Sequence, residues 1–270
     1  MAQAQDDAPA ATAPPAAFEP RIPTDQLKFL ADYAGRKTKE IRKDKRFKDV
    51  MKEVTPRTTY HYGRDMALTD TIGTMLDGPD APVEMRDERY VMVTSGGGPY
   101  LGGRGMIWFD RQEGIAIGAV YFHPTNGEPT PTLAIFSRQL SAKTLGMSQL
   151  PEEFRRDLNM WSLSARVPAI CVWYFIPENG KKYPLLHDED YCAVTGAAQA
   201  QCQRLNADAA DADLSAASFM HQTGKAANAT AWMLSPEQTA WFGLRERTCG
   251  VNLGCRVVFT RRRVRALVGR

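Results

Sequence analysis

The sequence predicts an α+β fold: an antiparallel sheet with flanking helices, followed by a small cystine-containing helical domain. Three observations carry this. Short β-branched and aromatic runs recur at close spacing between residues 90 and 136, the mark of antiparallel strands. Segments with helical apolar spacing precede them. All five cysteines fall in the second half of the 270 residues, four of them in the largely helical, Ala-rich stretch from residue 190 on. At 43% hydrophobic and 24% charged residues, the composition is that of a globular protein with a buried core.

Residues 1–22 are rich in Ala and Pro and lack an amphipathic period, so a disordered lead is expected. The Ala-Gln-Ala-Gln-Asp-Asp that follows Met1 looks like the end left by signal peptidase. This suggests an exported chain whose signal peptide has been removed. The alternative is a cytosolic protein with an unstructured tail.

An α+β domain is expected over 23–180. Thr24-Asp25 can cap a helix through about Gly35, with Leu27, Leu30 and Tyr33 on one face. A basic stretch over 37–54 offers a weak apolar face of Phe47, Val50, Met51 and Val54. Residues 65–77 read as another helix, carrying Met66, Leu68, Ile72 and Leu76. Strands follow at 90–93, 105–109, 115–122 and 133–136. Pro151 opens a helix through Trp161. The apolar run 167–176 is too short to span a bilayer, which takes about 20 residues, and its Val, Ile, Trp, Tyr and Phe content favours a strand. No transmembrane segment is expected.

A helical domain is expected over 190–270. Ser235-Pro236-Glu237 restarts a helix, and Cys249–Cys255 interrupts it before an Arg-rich end. Cys249 and Cys255 flank a Gly- and Asn-punctuated loop suited to a local disulfide, and Cys192 and Cys202 can form a second. Cys171, inside the apolar run, reads as a free buried thiol. Two close pairs point to a periplasmic or secreted location; the alternative is five reduced cysteines in a cytosolic protein.

Net charge is +3, yet residues 245–270 hold eight arginines and a single acid, Glu246. Such an end suits anionic lipid or a cell-wall polymer, or else a solvated helix terminus. Nucleic acid is not expected, because no aromatic interleaving or reading motif accompanies the arginines.

The β segment resembles the inhibitors of vertebrate (c-type) lysozyme over roughly residues 25–145. That family carries a Cys-Lys-Pro-His-Asp-Cys loop between two strands. Here Tyr-Val-Met-Val-Thr-Ser-Gly precedes the corresponding region and Gly-Met-Ile-Trp-Phe-Asp follows it. The loop positions read Gly97, Gly98, Pro99, Tyr100, Leu101 and Gly102. Glycines stand where the family has cysteines, and Tyr100 where it has the inhibitory His. A tyrosine can donate a hydrogen bond to a catalytic carboxylate but cannot supply a cation. The resemblance implies binding of lysozyme or another muramidase through residues 96–105, with Gly98, Pro99, Tyr100, Leu101 and Arg104 as contacts. The C-terminal part is similar to the LprI-type lysozyme-inhibitor domain. Gln238, Trp241, Arg245, Cys249, Cys255, Arg263 and Leu267 follow its typical ending in order. That resemblance implies a core role for Trp241 and Leu267, and an anchoring role for Arg245.

No enzyme, cofactor or metal site is expected. The Gly-rich stretch 96–105 lacks the Gly-Lys-Ser/Thr and strand–loop–helix setting of a phosphate cradle. Cys171 with His187 or His123 makes a poor nucleophile pair, because an apolar strand disfavours the thiolate. No Gly-x-Ser-x-Gly occurs. His187-Asp188-Glu189-Asp190 can in principle bind a cation or hold an acid and a base, with Asn206, Asp208, Asp211 and Asp213 as the nearest helpers. A solvated turn is the simpler expectation for it.

Overall fold

The computed structural model describes residues 15–95, 103–122, 131–167, 172–195, 197–223 and 235–269. The lead expected to be disordered through residue 22 is in fact packed from Ala16 onward. Its amides donate to the sheet side of the molecule: Ala16 N to Gln149 O, Glu19 N to Gln139 O and Ile22 N to Gly114 O, at 2.7–2.9 Å. The cause is two apolar anchors, Phe18 and Ile22, both nearly inaccessible to solvent. Burying such side chains is worth about 1.5–3 kcal/mol each.

Thr24–Tyr33 is helical but of the 3-10 kind. Leu27, Leu30 and Tyr33 recur every third residue, which matches three residues per turn. Arg111 occupies the carbonyls of Leu27 and Lys28 at 3.2 and 3.3 Å. The short α1 (Thr38–Ile41) and α2 (Lys45–Val54) follow, and Asp44 caps α2 by accepting from Arg46 N. The first three residues of the helix expected over 65–77 pair instead with the strand before it. β1 (Thr59–His61) and β2 (Asp65–Ala67) form a hairpin whose turn places Gly63 at φ +72°, a conformation open to glycine. The helix proper, α3, spans Leu68–Leu76.

The main sheet has eight strands, in order of introduction: β3 (Glu84–Arg86), β4 (Tyr90–Thr94), β5 (Arg104–Asp110), β6 (Ile115–Phe122), β7 (Thr132–Phe136), β8 (Leu145–Gly146), β9 (Val172–Ile176) and β10 (Tyr183–Leu186). Their spatial order is β3-β4-β5-β6-β7-β9-β10-β8. The run from β3 to β7 is antiparallel, as expected. Two pairings are parallel: β7 with β9 and β10 with β8. A parallel neighbour needs a crossover, and α4 (Glu152–Ser164) lies within the connection from β7 to β9.

Alternation along the strands feeds two cores. Ile107, Phe109, Val120 and Phe122 face the layer built by α2 and α3. Met106, Trp108, Ala119 and Tyr121 face α4 and Phe18. Covering both faces explains why β5 and β6 are buried throughout and read as continuous apolar runs. Trp108 Nε1 donates to Asp157 of α4 at 2.8 Å, so the buried indole keeps a partner.

The C-terminal helices are α5 (Tyr191–Thr195), α6 (Gln199–Thr223), α7 (Pro236–Cys249) and α8 (Leu253–Val268). The disulfides Cys192–Cys202 and Cys249–Cys255 tie α5 to α6 and α7 to α8. Leu214, Ala217, Val264 and Leu267 form a third core, with Leu186, Trp241 and Phe242 packed against it. Ala216 of α6 belongs to the first core of the sheet, so α6 serves two cores. Among the described residues no helix is long and apolar enough to cross a membrane.

Candidate functional site

Thr94, Arg104, Phe122, Thr132 and Val172 stand at one rim of the sheet. Their pairings fix this: Thr94 opposes Met106, Arg104 opposes Tyr121, and Thr132 opposes both Phe122 and Val172. The connections 96–102 and 123–130, and the segment 168–171 that leads into β9, therefore all leave from this rim. Gly98, Pro99, Tyr100 and Leu101, the expected contacts, lie outside the described residues, as do His123 and Cys171.

The two stems that carry 96–102 are held by a dense set of bonds. Thr38 Oγ1 donates to Thr94 O at 2.6 Å. Trp161 Nε1 of α4 donates to Thr94 Oγ1 at 2.9 Å, and that hydroxyl lies 3.0 Å from Gly105 O as its donor. On the returning stem, Gly103 N donates to Tyr62 Oη at 3.0 Å. Helix α3 presses on this stem directly. A Cβ at Gly105 would lie 2.4 Å from Ile72 Cδ1, and one at Gly103 would lie 2.5 Å from Met75 Cε. Two glycines of the Gly-rich stretch are thus used for close approach of helix to strand.

Arg104, expected as a partner contact, is only 5% exposed. Its Nε donates to Ala165 O at 3.2 Å and its Nη1 to Gly103 O at 3.2 Å. It holds the returning stem to the end of α4. Beside that helix end, Met160 and Leu163 are 61% and 74% exposed, two large apolar side chains one turn apart. Composition alone gave no signal for them, since only packing decides which face of α4 meets the sheet.

His187-Asp188-Glu189-Asp190 is not a solvated turn. His187 is 9% exposed, with its amide and Nδ1 both on the Asp213 carboxylate, at 2.8 and 2.7 Å. Asp188 accepts from Ser148 N and Oγ at 2.9 and 2.6 Å. Glu189 pairs with Arg155. Asp190 accepts from Asn206 Nδ2 at 2.8 Å, and that bond holds its carboxyl below the usual range. The four side chains thus reach three different elements and act as a polar junction. Among the described residues no three His, Cys, Asp or Glu side chains converge on a metal position.

The Arg-rich end is largely spent on internal bonds. Arg245 is buried, donates to Asp211 Oδ1 at 2.5 Å and to Thr260 Oγ1 at 2.9 Å, and stacks near Trp241 and Phe242. Arg256 pairs with Glu246, and Arg263 with Glu237. Arg261 donates to the carbonyls of His187 and Glu189. Arg247, Arg262 and Arg265 remain exposed.

No protein-family model, curated protein or solved structure matches the chain.

Proposed function

We propose that the protein is an exported envelope protein that works by binding a protein partner at the loop rim of its sheet, and that the partner is lysozyme or another muramidase. The observation that carries this is the rim itself. Three chain connections leave from one end of a sheet covered on both faces, and the stems of 96–102 are fixed by Thr38, Thr94, Trp161, Tyr62 and Arg104. Recognition segments borne on a rigid scaffold are the common arrangement for binding proteins. A rigid stem lowers the ordering cost that a glycine-rich contact segment brings. Met160 and Leu163 add exposed apolar surface beside it, which suits a protein partner. The contacts proposed are Gly98, Pro99, Tyr100 and Leu101, with Arg104 anchoring the stem that leads back from them. Two disulfides fit an oxidising compartment.

A second reading, binding of anionic lipid or cell-wall polymer through the Arg-rich end, rests on the exposed Arg247, Arg262 and Arg265. It is weaker, because Arg245, Arg256 and Arg263 are already paired with acids.

Titration of c-type lysozyme with the purified chain, alongside Tyr100→Ala and Leu163→Asp, tests the first reading. Stoichiometric inhibition that either substitution weakens supports it. Absence of binding at micromolar concentration removes lysozyme as the partner. Salt-sensitive binding to anionic vesicles, lost on joint replacement of the three exposed arginines, supports the second.

A further inference from the structure

The seam between the sheet edge and the last helix holds a cleft of about 390 Å³, within the roughly 300–1,000 Å³ of small-molecule sites. None of the rim residues described above lines it. Its floor is aliphatic, made by Leu145 of β8, Leu186 of β10, and Val264 and Val268 of α8. Its charged lining is of both signs: Asp188 after β10 and Asp213 of α6, with Arg261 and Arg265 of α8.

No ion pair joins these opposite charges among the described residues. Among the described residues neither Arg261 nor Arg265 has a carboxylate within ion-pair distance, whereas Arg245, Arg256 and Arg263 of the same helix pair each have one. Arg261 gives Nη2 to two backbone carbonyls at 3.3 Å, and Arg265, one turn further, is exposed. Asp188 is set into the cleft wall by Gly146, where a Cβ would lie 2.0 Å from its carboxylate oxygen. Ser148 fills two acceptor positions of that carboxylate, of the about four a carboxylate offers. The cleft therefore presents an anionic acceptor and a cationic pair, unjoined, over an apolar floor.

We propose that this cleft binds a small aliphatic zwitterion, a free-ended apolar amino acid or dipeptide. Its ammonium would meet Asp188, its carboxylate Arg261 and Arg265, and its side chains the leucines and valines of the floor. This goes beyond binding at the loop rim and does not depend on it.

Titration calorimetry of the full chain with leucyl-leucine is the test. Saturable one-to-one binding is expected. Acetylating the dipeptide's amine or amidating its carboxylate should each weaken it about tenfold, the loss of one charge-assisted hydrogen bond. Arg265→Ala should weaken leucyl-leucine to the same degree with an unchanged melting temperature, because Arg265 makes no ion pair among the described residues. Val268→Trp, which fills the cleft, should abolish binding. Tyr100→Ala should leave it unaltered, which separates this result from lysozyme capture. No saturable binding at millimolar leucyl-leucine overturns the proposal. So does equal binding of the acetylated dipeptide, or of decanoate, since the site would then take amphipathic anions. Unchanged affinity in Arg265→Ala also overturns it.

Discussion

His187 and Asp213 join the sheet to the helical region through one carboxylate. The residue that follows β10 gives both its amide and its Nδ1 to an aspartate on α6, 26 positions away. Both residues are buried, and Trp173 meets the imidazole edge-on at 5.1 Å. Asp213→Ala leaves two buried donors without an acceptor, at about 1–3 kcal/mol for each. A loss of about 2–4 kcal/mol in urea unfolding is the expected result. Asp213→Asn, which keeps one acceptor oxygen, should lose less.

The two disulfides close loops with sequence separations of 10 and 6. In the chain-entropy account each contributes about 2–3 kcal/mol. Replacing either pair by Ser should therefore lower stability by about that amount. The Cys192–Cys202 bridge closes the longer loop, so its replacement should be the more damaging. Thermal melts with and without reductant read this directly.

Much of the central sheet was legible because β4 to β7 bury both faces and leave apolar runs in the sequence. The helix expected from Pro151 to Trp161 was equally plain, but the antiparallel expectation missed the parallel β7–β9 pairing for which that helix is the crossover. β8 and β10 were not legible. One has two residues and the other contains Pro184, and strands that short leave no period. The packed lead left one trace, Phe18 within an Ala- and Pro-rich tract. The His187 junction was half legible. The acidic cluster stood out, but three aspartates on α6 were candidate partners, and only the packing of α6 on β9 and β10 selects Asp213. The stems of 96–102 looked like a glycine-rich loop. That Gly103 and Gly105 make room for Met75 and Ile72 depends on where α3 packs.

Asp44 gives a pH prediction with a definite sign. The Arg46 side chain, which bonds its carboxylate, does most to lower its pKa from 3.8 to about 2, with Arg46 N and Tyr33 Oη assisting and partial desolvation opposing. A carboxyl whose folded pKa is depressed contributes its stability above the unfolded value and loses it as pH falls through the folded value. The contribution is thus fully present above about pH 4 and lost toward pH 2, and with Arg46 solvent-screened it amounts to about 1 kcal/mol. Asp44→Asn should flatten the acid limb of stability in that window. It should cost little of the α2 cap, because Asn is also a good N-cap residue. Unfolding free energies at pH 2, 3, 4 and 6 for both proteins check it.

Gly118 and Phe136 set a tight packing constraint between two central strands of the sheet. They are directly paired across β6 and β7, and a Cβ on Gly118 would lie 2.0 Å from the Phe136 ring. Phe136 is fully buried in the first core, so the ring cannot swing into solvent. Gly118→Ala forces it off its rotamer or parts the two strands, at about 1–3 kcal/mol. The damage should be relieved by trimming the ring. In Gly118→Ala/Phe136→Leu the two costs should not add, since the smaller side chain removes the clash that the methyl creates. A double-mutant cycle by chemical denaturation measures that coupling. Strict additivity would mean that the ring and the added methyl do not share space.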